Sequence, residues 1–321
     1  QRAQWQVARA GIITAGQRPN PSLKLLSQHH SLTEASVLPW TFGLAFDIPI
    51  ETAGKRGDRI AQAQSLATAA HFQVGEAAWL LRSQVRQRFL DYFAALEQTK
   101  LLEAETATRA QMLALMQQRL VAGESAAFDV STALLDLQRA HLAQARAQAQ
   151  EAGTRAALAQ ALGLPVRALN GVEFSFADVE QPPTLQQLPS AAVQRAALLN
   201  RLDLRQALAR YAAAEAALKL QVAKQYPDLR LGPGYGWEQG DNRWGLSISL
   251  TLPLLNQNQG PIAEARARVA ETAAIFMALQ AQVIGQIDQA LANYRGALQT
   301  LDAAQAVLAR QSAQQHLVEQ Q

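Results

Sequence analysis

A stretch of more than 60 residues without proline constrains the fold of this 321-residue chain most strongly. Between residues 57 and 120, apolar side chains recur at spacings of three and four, as at Val85, Phe89, Phe93 and Leu96. This period predicts a single amphipathic helix. A helix of roughly 60 residues is about 95 Å long, which is far longer than a helix in an ordinary globular core. It therefore predicts coiled-coil packing against other long helices.

The long helix is predicted to turn back on itself. The segment VAGESAAFDV (121–130) places Gly123 at the end of the first helix and offers Ser125 or Asp129 as the cap of the next. The return helix is predicted over 126–163 and ends at the sequence GLP. A loop with several prolines follows at 164–189, and helix resumes at 190. The prediction is a long helical hairpin with its tip at 121–125.

Four short segments have the two-residue period of β-strands, at about 20–31, 40–50, 228–238 and 243–254. Large apolar residues alternate with small or polar ones, as in transmembrane β-strands. We expect the following side chains to face lipid: Trp40, Phe42, Leu44, Phe46, Ile48, Trp244, Leu246, Ile248 and Leu250. We expect these to face a water-filled lumen: Thr41, Asp47, Arg230, Glu238, Ser247, Ser249 and Thr251. Two half-buried hairpins on a soluble core remain the alternative.

Four strands are too few to close a barrel, since the smallest closed barrels have about eight. If the strands form a barrel, several chains must share it. The fold class predicted from the residues is therefore mostly helical, with long antiparallel helices and a small β part.

The chain is predicted to contain a tandem duplication. FGLAFDIPI (42–50) aligns with LSISLTLPL (246–254), and Pro49 then lies 204 residues before Pro253. The first repeat is predicted over 1–199, with a helix at 1–17, the first two strands, the hairpin and the loop 164–189. The second is predicted over 190–321, with a helix at 190–225, two strands and a long helix at 261–321. We expect both ends to be clipped relative to a complete repeat.

Composition excludes several classes of function. The formal net charge is only +3, and no basic block with interleaved aromatic residues occurs, so nucleic-acid binding is not expected. There is no cysteine and no apolar run of about 20 residues, which excludes disulfides and a helical membrane span within this stretch. The segment AGKRG (53–57) does not match a phosphate-binding loop. With no nucleophile–base pair or metal-ligand set, we expect no enzyme, cofactor or metal site.

The sequence resembles the TolC-like outer-membrane efflux factors. The resemblance is carried by the duplicated plan together with ALLNRLDLRQALARYAAAEAAL (197–218), RLVAGESAAFDVSTALLDLQRA (119–140) and LAQALGLP (158–165). Leu202 stands where the family commonly has proline. The segment IETAGKRGDRI (50–60) is most similar to the branch that accompanies cobalt-zinc-cadmium pumps.

The resemblance implies a homotrimer in the outer membrane of a Gram-negative bacterium, with a shared 12-stranded β-barrel and a trimeric α-barrel across the periplasm. It implies a passive exit duct of a tripartite efflux system, with a periplasmic adaptor and an inner-membrane pump of the resistance-nodulation-division type. Heavy-metal cations are the expected cargo, with organic drugs, toxicants or type I secretion as alternatives, and a non-transport periplasmic coiled-coil scaffold as a different class. The resemblance places the adaptor contact at the hairpin tip, at Arg119, Leu120, Gly123, Glu124, Ser125 and Asp129.

Overall fold

The computed structural model describes residues 1–31, 38–176, 183–238 and 240–319. The helices are α1 (Arg2–Gly16), α2 (Lys55–Val121), α3 (Ala127–Ala161), α4 (Ser190–Asn200), α5 (Leu202–Ala223) and α6 (Gln259–Glu319). The strands are β1 (Ser22–His29), β2 (Trp40–Ile50), β3 (Leu229–Glu238) and β4 (Asp241–Leu250). Single 3-10 turns lie at Val166–Leu169 and Leu185–Gln187.

The single helix predicted over 190–225 is wrong, because the structure divides it into α4 and α5. Arg201 has an extended backbone (φ −62°, ψ 130°) and interrupts the helical ladder. Its guanidinium donates to the Asp203 carboxylate at 2.7 Å, and that carboxylate accepts the backbone N–H of Leu204 at 2.8 Å. Proline at position 202 would disfavour a helical residue 201. Here the Arg201–Asp203 pair stabilises the same break with Leu202 in place.

Three predicted strands are longer than the observed ones, and β3 differs only in beginning at Leu229 rather than at residue 228. β4 begins at Asp241 rather than at residue 243. β1 covers Ser22–His29 rather than 20–31, and β4 ends at Leu250 rather than at residue 254. Leu250 pairs with Leu229, the first residue of β3, so the residues after it have no strand opposite them. Thr251, predicted to face the lumen, therefore lies just beyond β4. The predicted loop 164–189 and the end of the helix 261–321 lie partly outside the described residues.

The chain divides into two compact units that do not follow the two predicted repeats. One unit contains residues 1–76 and 188–321, and the other contains residues 77–187. The core of the first lies between α4, α5 and α6, where Leu204, Val283, Ile287 and Leu291 are buried. Here α1 runs antiparallel to the start of α2, with the rings of Trp5 and His71 5.1 Å apart. The repeat boundaries themselves stay a prediction.

The second unit is an antiparallel hairpin of α2 and α3. Tyr92 packs with Leu158, and closer to the tip the Arg109 guanidinium lies 4.0 Å from the Asp136 carboxylate. At the open end of the hairpin, the loop after α3 lays Phe174 and Phe176 against Phe89, Tyr92 and Phe93 of α2. The loop thus covers an aromatic patch on this unit.

Among the described residues, no helix has both the length and the hydropathy that a membrane span requires.

Candidate functional site

The four strands form one antiparallel sheet in the order β1-β2-β3-β4, with β1 and β4 at its edges. Directly paired residues share a face of such a sheet. Leu44 pairs with Leu25 and Tyr235, and Tyr235 pairs with Trp244, so large apolar side chains of all four strands lie on one face. Leu26 is an exception, since it pairs with Gly43 on the opposite face. On β2 these large side chains keep 37–49% of their surface exposed, whereas the small residues between them are half-buried. The sheet presents a continuous apolar surface that nothing in this chain covers within the described residues.

We call this the apolar face; it contains every residue predicted to face lipid: Trp40, Phe42, Leu44, Phe46, Ile48, Trp244, Leu246, Ile248 and Leu250. Except for Phe46, its aromatic rings gather at the Trp40 end of the sheet, where Trp40 stacks on Phe42 at 5.8 Å. Phe42 lies 6.1 Å from Trp237, and Tyr235 lies 4.8 Å from Trp244. The sequence missed the contribution of β1, whose Leu23 and Leu25 extend the surface. Ser27 and His29 on the same face break the alternation there.

We call the opposite face of the sheet the polar face; glycine and serine are the most frequent residues on it. The register places Thr41, Asp47, Arg230, Glu238, Ser247 and Ser249 together on it, as the sequence groups them. Arg230 donates to Asp47 across the strands at 3.0 Å, and Arg243 forms an ion pair with Glu238. The hydroxyl of Ser247 donates to the Gly232 carbonyl at 3.1 Å, so a side chain at Gly232 would displace it.

At the connection from β2 to α2, residues 51–59 form a charged cluster that we call the first elbow. Lys55 is 6% exposed, and its ammonium donates to the Tyr226 carbonyl and to the Asp228 carboxylate, each at 2.6 Å. The same carboxylate accepts the Thr52 backbone N–H at 3.0 Å. The first elbow thus ties the end of β2 to the start of β3.

A second set of bonds ties the first elbow to the end of α1. Arg59 holds Glu51 through both nitrogens of its fork, and its Nε donates to the Ala15 carbonyl at 3.3 Å. Arg56 donates to the Gly16 carbonyl at 2.6 Å. These arginines occupy carbonyl groups that the last turn of a helix leaves unpaired.

The charges of the first elbow shift its ionisation equilibria. The hydrogen bond from Arg59 holds the pKa of Glu51 below its usual range, although burial opposes the shift. Burial alone would raise the pKa of Asp228, but the bonds from Lys55 and from the Thr52 N–H outweigh it and lower that pKa. Both groups are therefore carboxylates at neutral pH.

The connection from β4 to α6, residues 251–259, is held by amides instead, and we call it the second elbow. The Asn258 side chain donates to the Gln221 carbonyl at 2.7 Å, and Gln225 donates to the Gln257 carbonyl at 3.0 Å. Asn258 has a left-handed backbone (φ 62°), as does Gly54 (φ 73°) 204 residues earlier. Each elbow thus places a left-handed residue directly before its long helix, although the first elbow has another at Ala53 (φ 54°). The two elbows differ in the chemistry that fixes them.

The hairpin tip is a glycine-terminated turn followed by a capped helix. Gly123 (φ 78°) donates to the Leu120 carbonyl at 3.0 Å, and Glu124 donates to the Arg119 carbonyl at 2.9 Å, which is the Schellman arrangement. Asp129 then accepts the Ala126 backbone N–H at 3.1 Å and caps α3.

Beside the tip turn, the surface between α2 and α3 has a shallow concave site of about 390 Å³. Met112 and Met116 line it together with Phe128, which is 78% exposed. Charged groups surround the apolar centre: Arg109, Arg119, Glu124, Asp129 and Asp136. Four of the predicted tip residues line this concave site: Arg119, Glu124, Ser125 and Asp129. The sequence did not indicate Met112, Met116 and Phe128, which form its apolar centre.

Within the described ranges, no three His, Asp or Glu side chains gather as a metal-binding group. His30 lies at the turn end of the sheet and bonds with the Thr41 hydroxyl at 3.0 Å, while His29 packs against Trp40 on the other face.

Comparison with known proteins identifies the family. The family model described as outer membrane efflux protein matches residues 1–164 and 193–321. The chain belongs to the outer membrane efflux protein family. This membership confirms the resemblance predicted from the sequence, and with it the location in the outer membrane. The family and the fold are those of channels rather than of enzymes.

Two known bacterial proteins are similar to this chain over more than two thirds of its length. The cobalt-zinc-cadmium resistance protein CzcC of Cupriavidus metallidurans is 28% identical over 259 residues, 78% of this chain and 58% of CzcC. The pyoverdine export outer membrane protein OpmQ of Pseudomonas aeruginosa is 27% identical over 228 residues, 68% of this chain and 46% of OpmQ. The chain thus spans less than two thirds of either relative.

The fold is that of solved channels. The crystal structure of CusC, described with its transmembrane channel formation, has a TM-score of 0.76 at 20% identity, covering 96% of this chain and 74% of CusC. The prediction of a mostly helical protein with four strands is confirmed, and the structure joins those strands in one antiparallel sheet.

Proposed function

We propose that three copies of this protein form a passive exit channel of the outer membrane. The proposal is carried by the sheet, which has an apolar face, a polar face and an unpaired edge at both β1 and β4. Unpaired edges are costly in lipid, where every backbone polar group needs a partner. Pairing β4 of one copy with β1 of the next removes all edges, and three copies supply twelve strands.

The dimensions support this arrangement. β2 has 11 residues, or about 35 Å of strand at roughly 3.3 Å per residue. With the tilt of about 45° found in such barrels, this length spans about 25 Å, which matches the apolar band of outer-membrane barrels. The apolar face then contacts lipid, its aromatic end lies at one membrane interface, and the polar face lines the lumen.

The helices extend the duct. α2 alone has 67 residues, about 100 Å at 1.5 Å per residue, and we assign it to a periplasmic α-barrel. The tip, with its glycine turn and the apolar site around Phe128, is the proposed contact for a periplasmic adaptor. The adaptor connects the channel to an inner-membrane pump of the resistance-nodulation-division type, which powers transport.

Heavy-metal cations are the proposed cargo. Support comes from the similarity to CzcC, a cobalt-zinc-cadmium resistance protein, over most of this chain. Export of an organic molecule is the second candidate, because OpmQ, a pyoverdine export protein, is nearly as similar.

The channel is tested with the full-length protein. It should fractionate with outer membranes, be extracted as a trimer and conduct ions in planar bilayers. A water-soluble monomer without conductance would instead favour the periplasmic scaffold. A photo-crosslinking residue at Leu120 should capture the adaptor in cells, whereas the same residue at Thr108, exposed on α2, should not.

The cargo is tested by deleting the gene. Sensitivity to zinc, cobalt and cadmium with unchanged drug tolerance supports metal export. The reverse pattern supports organic cargo and removes the metal assignment.

A further inference from the structure

The charged groups of the polar face do not form an acidic lining. Within the described strands this face carries three cationic and three anionic side chains: Lys24, Arg230, Arg243, Asp47, Glu238 and Asp241. Their formal charges cancel. Rings of carboxylates favour cations in channels, and carboxylates in this sheet are offset by an equal number of cations.

Pairing leaves one lysine alone among these cations. Arg230 is 3.0 Å from Asp47, and Arg243 is paired with Glu238. In the part of the chain that the structure describes, no carboxylate lies within 4.0 Å of the Lys24 ammonium. Asp241 is the remaining carboxylate, and it lies at the turn end of the sheet, opposite Glu238.

The surroundings of Lys24 leave its charge open to solvent. It pairs with Ala45, and the same cross-strand row continues through Gly234 and Gly245, so no side chain larger than a methyl group lies across the sheet from it. Along β1, its neighbours on this face are the uncharged Ser22 and Leu26, and the nearest carboxylate on β2, Asp47, is paired with Arg230. A Cβ added at Gly245 would meet nothing within 4 Å. The Lys24 side chain is exposed to solvent, and across the sheet from it the surface is formed mainly by backbone atoms.

We propose that Lys24 sets the charge preference of the pore. This inference rests on the proposed trimeric channel, in which three copies of Lys24 project from the polar face into the lumen. Their field favours anions over free cations in this segment, because each paired arginine is cancelled locally. The barrel is then not a filter for metal cations, and any metal specificity belongs to the proteins that load the duct.

The effect is measured as a permeability ratio. Wild-type channels and the Lys24→Gln, Lys24→Glu and Lys24→Arg variants are placed in bilayers across a potassium chloride gradient, and reversal potentials are recorded. Three charges acting about 10 Å from a passing ion change the anion-to-cation permeability ratio by about fivefold at roughly 0.1 M salt. Lys24→Gln should lower the ratio by about that factor, Lys24→Glu should lower it further, and Lys24→Arg should retain it. At about 1 M salt the differences should vanish, since the screening length falls to about 3 Å.

A matched control removes a charge of each sign. The double variant Asp47→Asn with Arg230→Gln takes away a paired set from the same face and should leave the ratio unchanged. Residues 1–321 contain no cysteine, so Lys24→Cys adds a thiol to this part of the channel that can be modified with a cationic or an anionic thiol reagent, with unmodified Lys24 channels treated in parallel as the control. The cationic reagent should restore the wild-type permeability ratio, and the anionic reagent should lower it. Because the charge is added after the channel has assembled, a folding defect cannot explain the difference.

The outcomes separate the two proposals. A wild-type protein that does not conduct overturns the channel itself. Conducting channels whose ratio is the same with Lys24, Gln and Glu overturn the role of Lys24 and leave the channel standing.

Discussion

Replacing Lys55 by methionine should loosen the first elbow locally. Methionine is unbranched and of similar length, so it fills the buried space but cannot donate to the Tyr226 carbonyl or to Asp228. A hydrogen bond that involves a charged group contributes about 1.5–3 kcal/mol. The Lys55 side chain is 8% exposed, but that of Asp228 is 44% exposed. Water can therefore replace much of the hydrogen bonding that the Asp228 carboxylate loses, and the loss of the Lys55–Asp228 pair costs less than about 1 kcal/mol.

The carbonyl of Tyr226 accounts for most of the loss. We expect a total of about 2 kcal/mol, which corresponds to roughly a 30-fold increase in the local opening equilibrium. The assay is hydrogen exchange followed by mass spectrometry on peptides that cover residues 50–60 and 224–230. The Thr52 N–H, which donates to Asp228, is the reporter of opening.

The matched control is Lys100→Met. Lys100 also forms a short ion pair, 2.8 Å from Glu97, but the two side chains are 59% and 45% exposed. An exposed pair of this kind contributes little, so exchange around residue 100 should not change measurably. The reasoning is refuted if Lys55→Met accelerates exchange in the first elbow no more than Lys100→Met does around its own site. Equal acceleration in all peptides would also refute it, because the effect would then be global.

Three further predictions concern pH, the tip and the sheet. The depressed pKa of Glu51 means that its stabilisation is complete above the ordinary glutamate range and is lost progressively as the pH falls below about 4. The gap in melting temperature between wild type and Glu51→Gln should therefore narrow steadily below that pH, and a gap that stays constant from neutral pH down through the acid range would contradict the assignment. Gly123→Ala places a side chain at φ 78° and should lower the free energy of unfolding by about 1–2 kcal/mol, measured by thermal unfolding. The control, Gly153→Ala within α3, has open space around it and should raise the free energy of unfolding by up to about 1 kcal/mol. Equal effects of the two substitutions would show that backbone conformation is not the cause. Leu246→Arg should destabilise the protein by about 2–4 kcal/mol if that side chain contacts the bilayer, and should sharply reduce the yield of trimer in outer membranes. Ser247→Arg, on the opposite face of the sheet, should still assemble. A higher trimer yield for Leu246→Arg than for Ser247→Arg would mean that the faces assigned to lipid and to the lumen are reversed.

The long helices and the strand pattern could be predicted because their signals are local. Apolar spacing of three and four over 57–120 indicates α2, and strict alternation from Trp40 to Ile48 indicates β2. The glycine turn at Gly123 could be predicted for the same reason, since a positive φ favours glycine. Faces of the sheet follow from alternation once the register is known.

Contacts that join distant segments could not be predicted in the same way. Lys55 finds Asp228 across 173 residues, and nothing near Lys55 in the sequence indicates that partner. The helix break at Arg201 was missed because Leu202 is a good helix former. The pair that stabilises the break, Arg201 and Asp203, lies only two residues apart and leaves no recognisable pattern in the sequence. Lys24 was missed because β1 alternates poorly, so its face was assigned only by its pairing with Ala45.

The difference between the two elbows has a mechanical consequence for a ring of three chains. Six junctions then connect strands to long helices around the circumference, and charged junctions alternate with amide junctions. A left-handed residue precedes the long helix at every junction, Gly54 in the charged set and Asn258 in the amide set. Ionic strength and acid act on the charged set alone. A ring with six similar connections would therefore flex with threefold symmetry, because in acid or at high salt the three charged junctions would loosen before the three amide junctions.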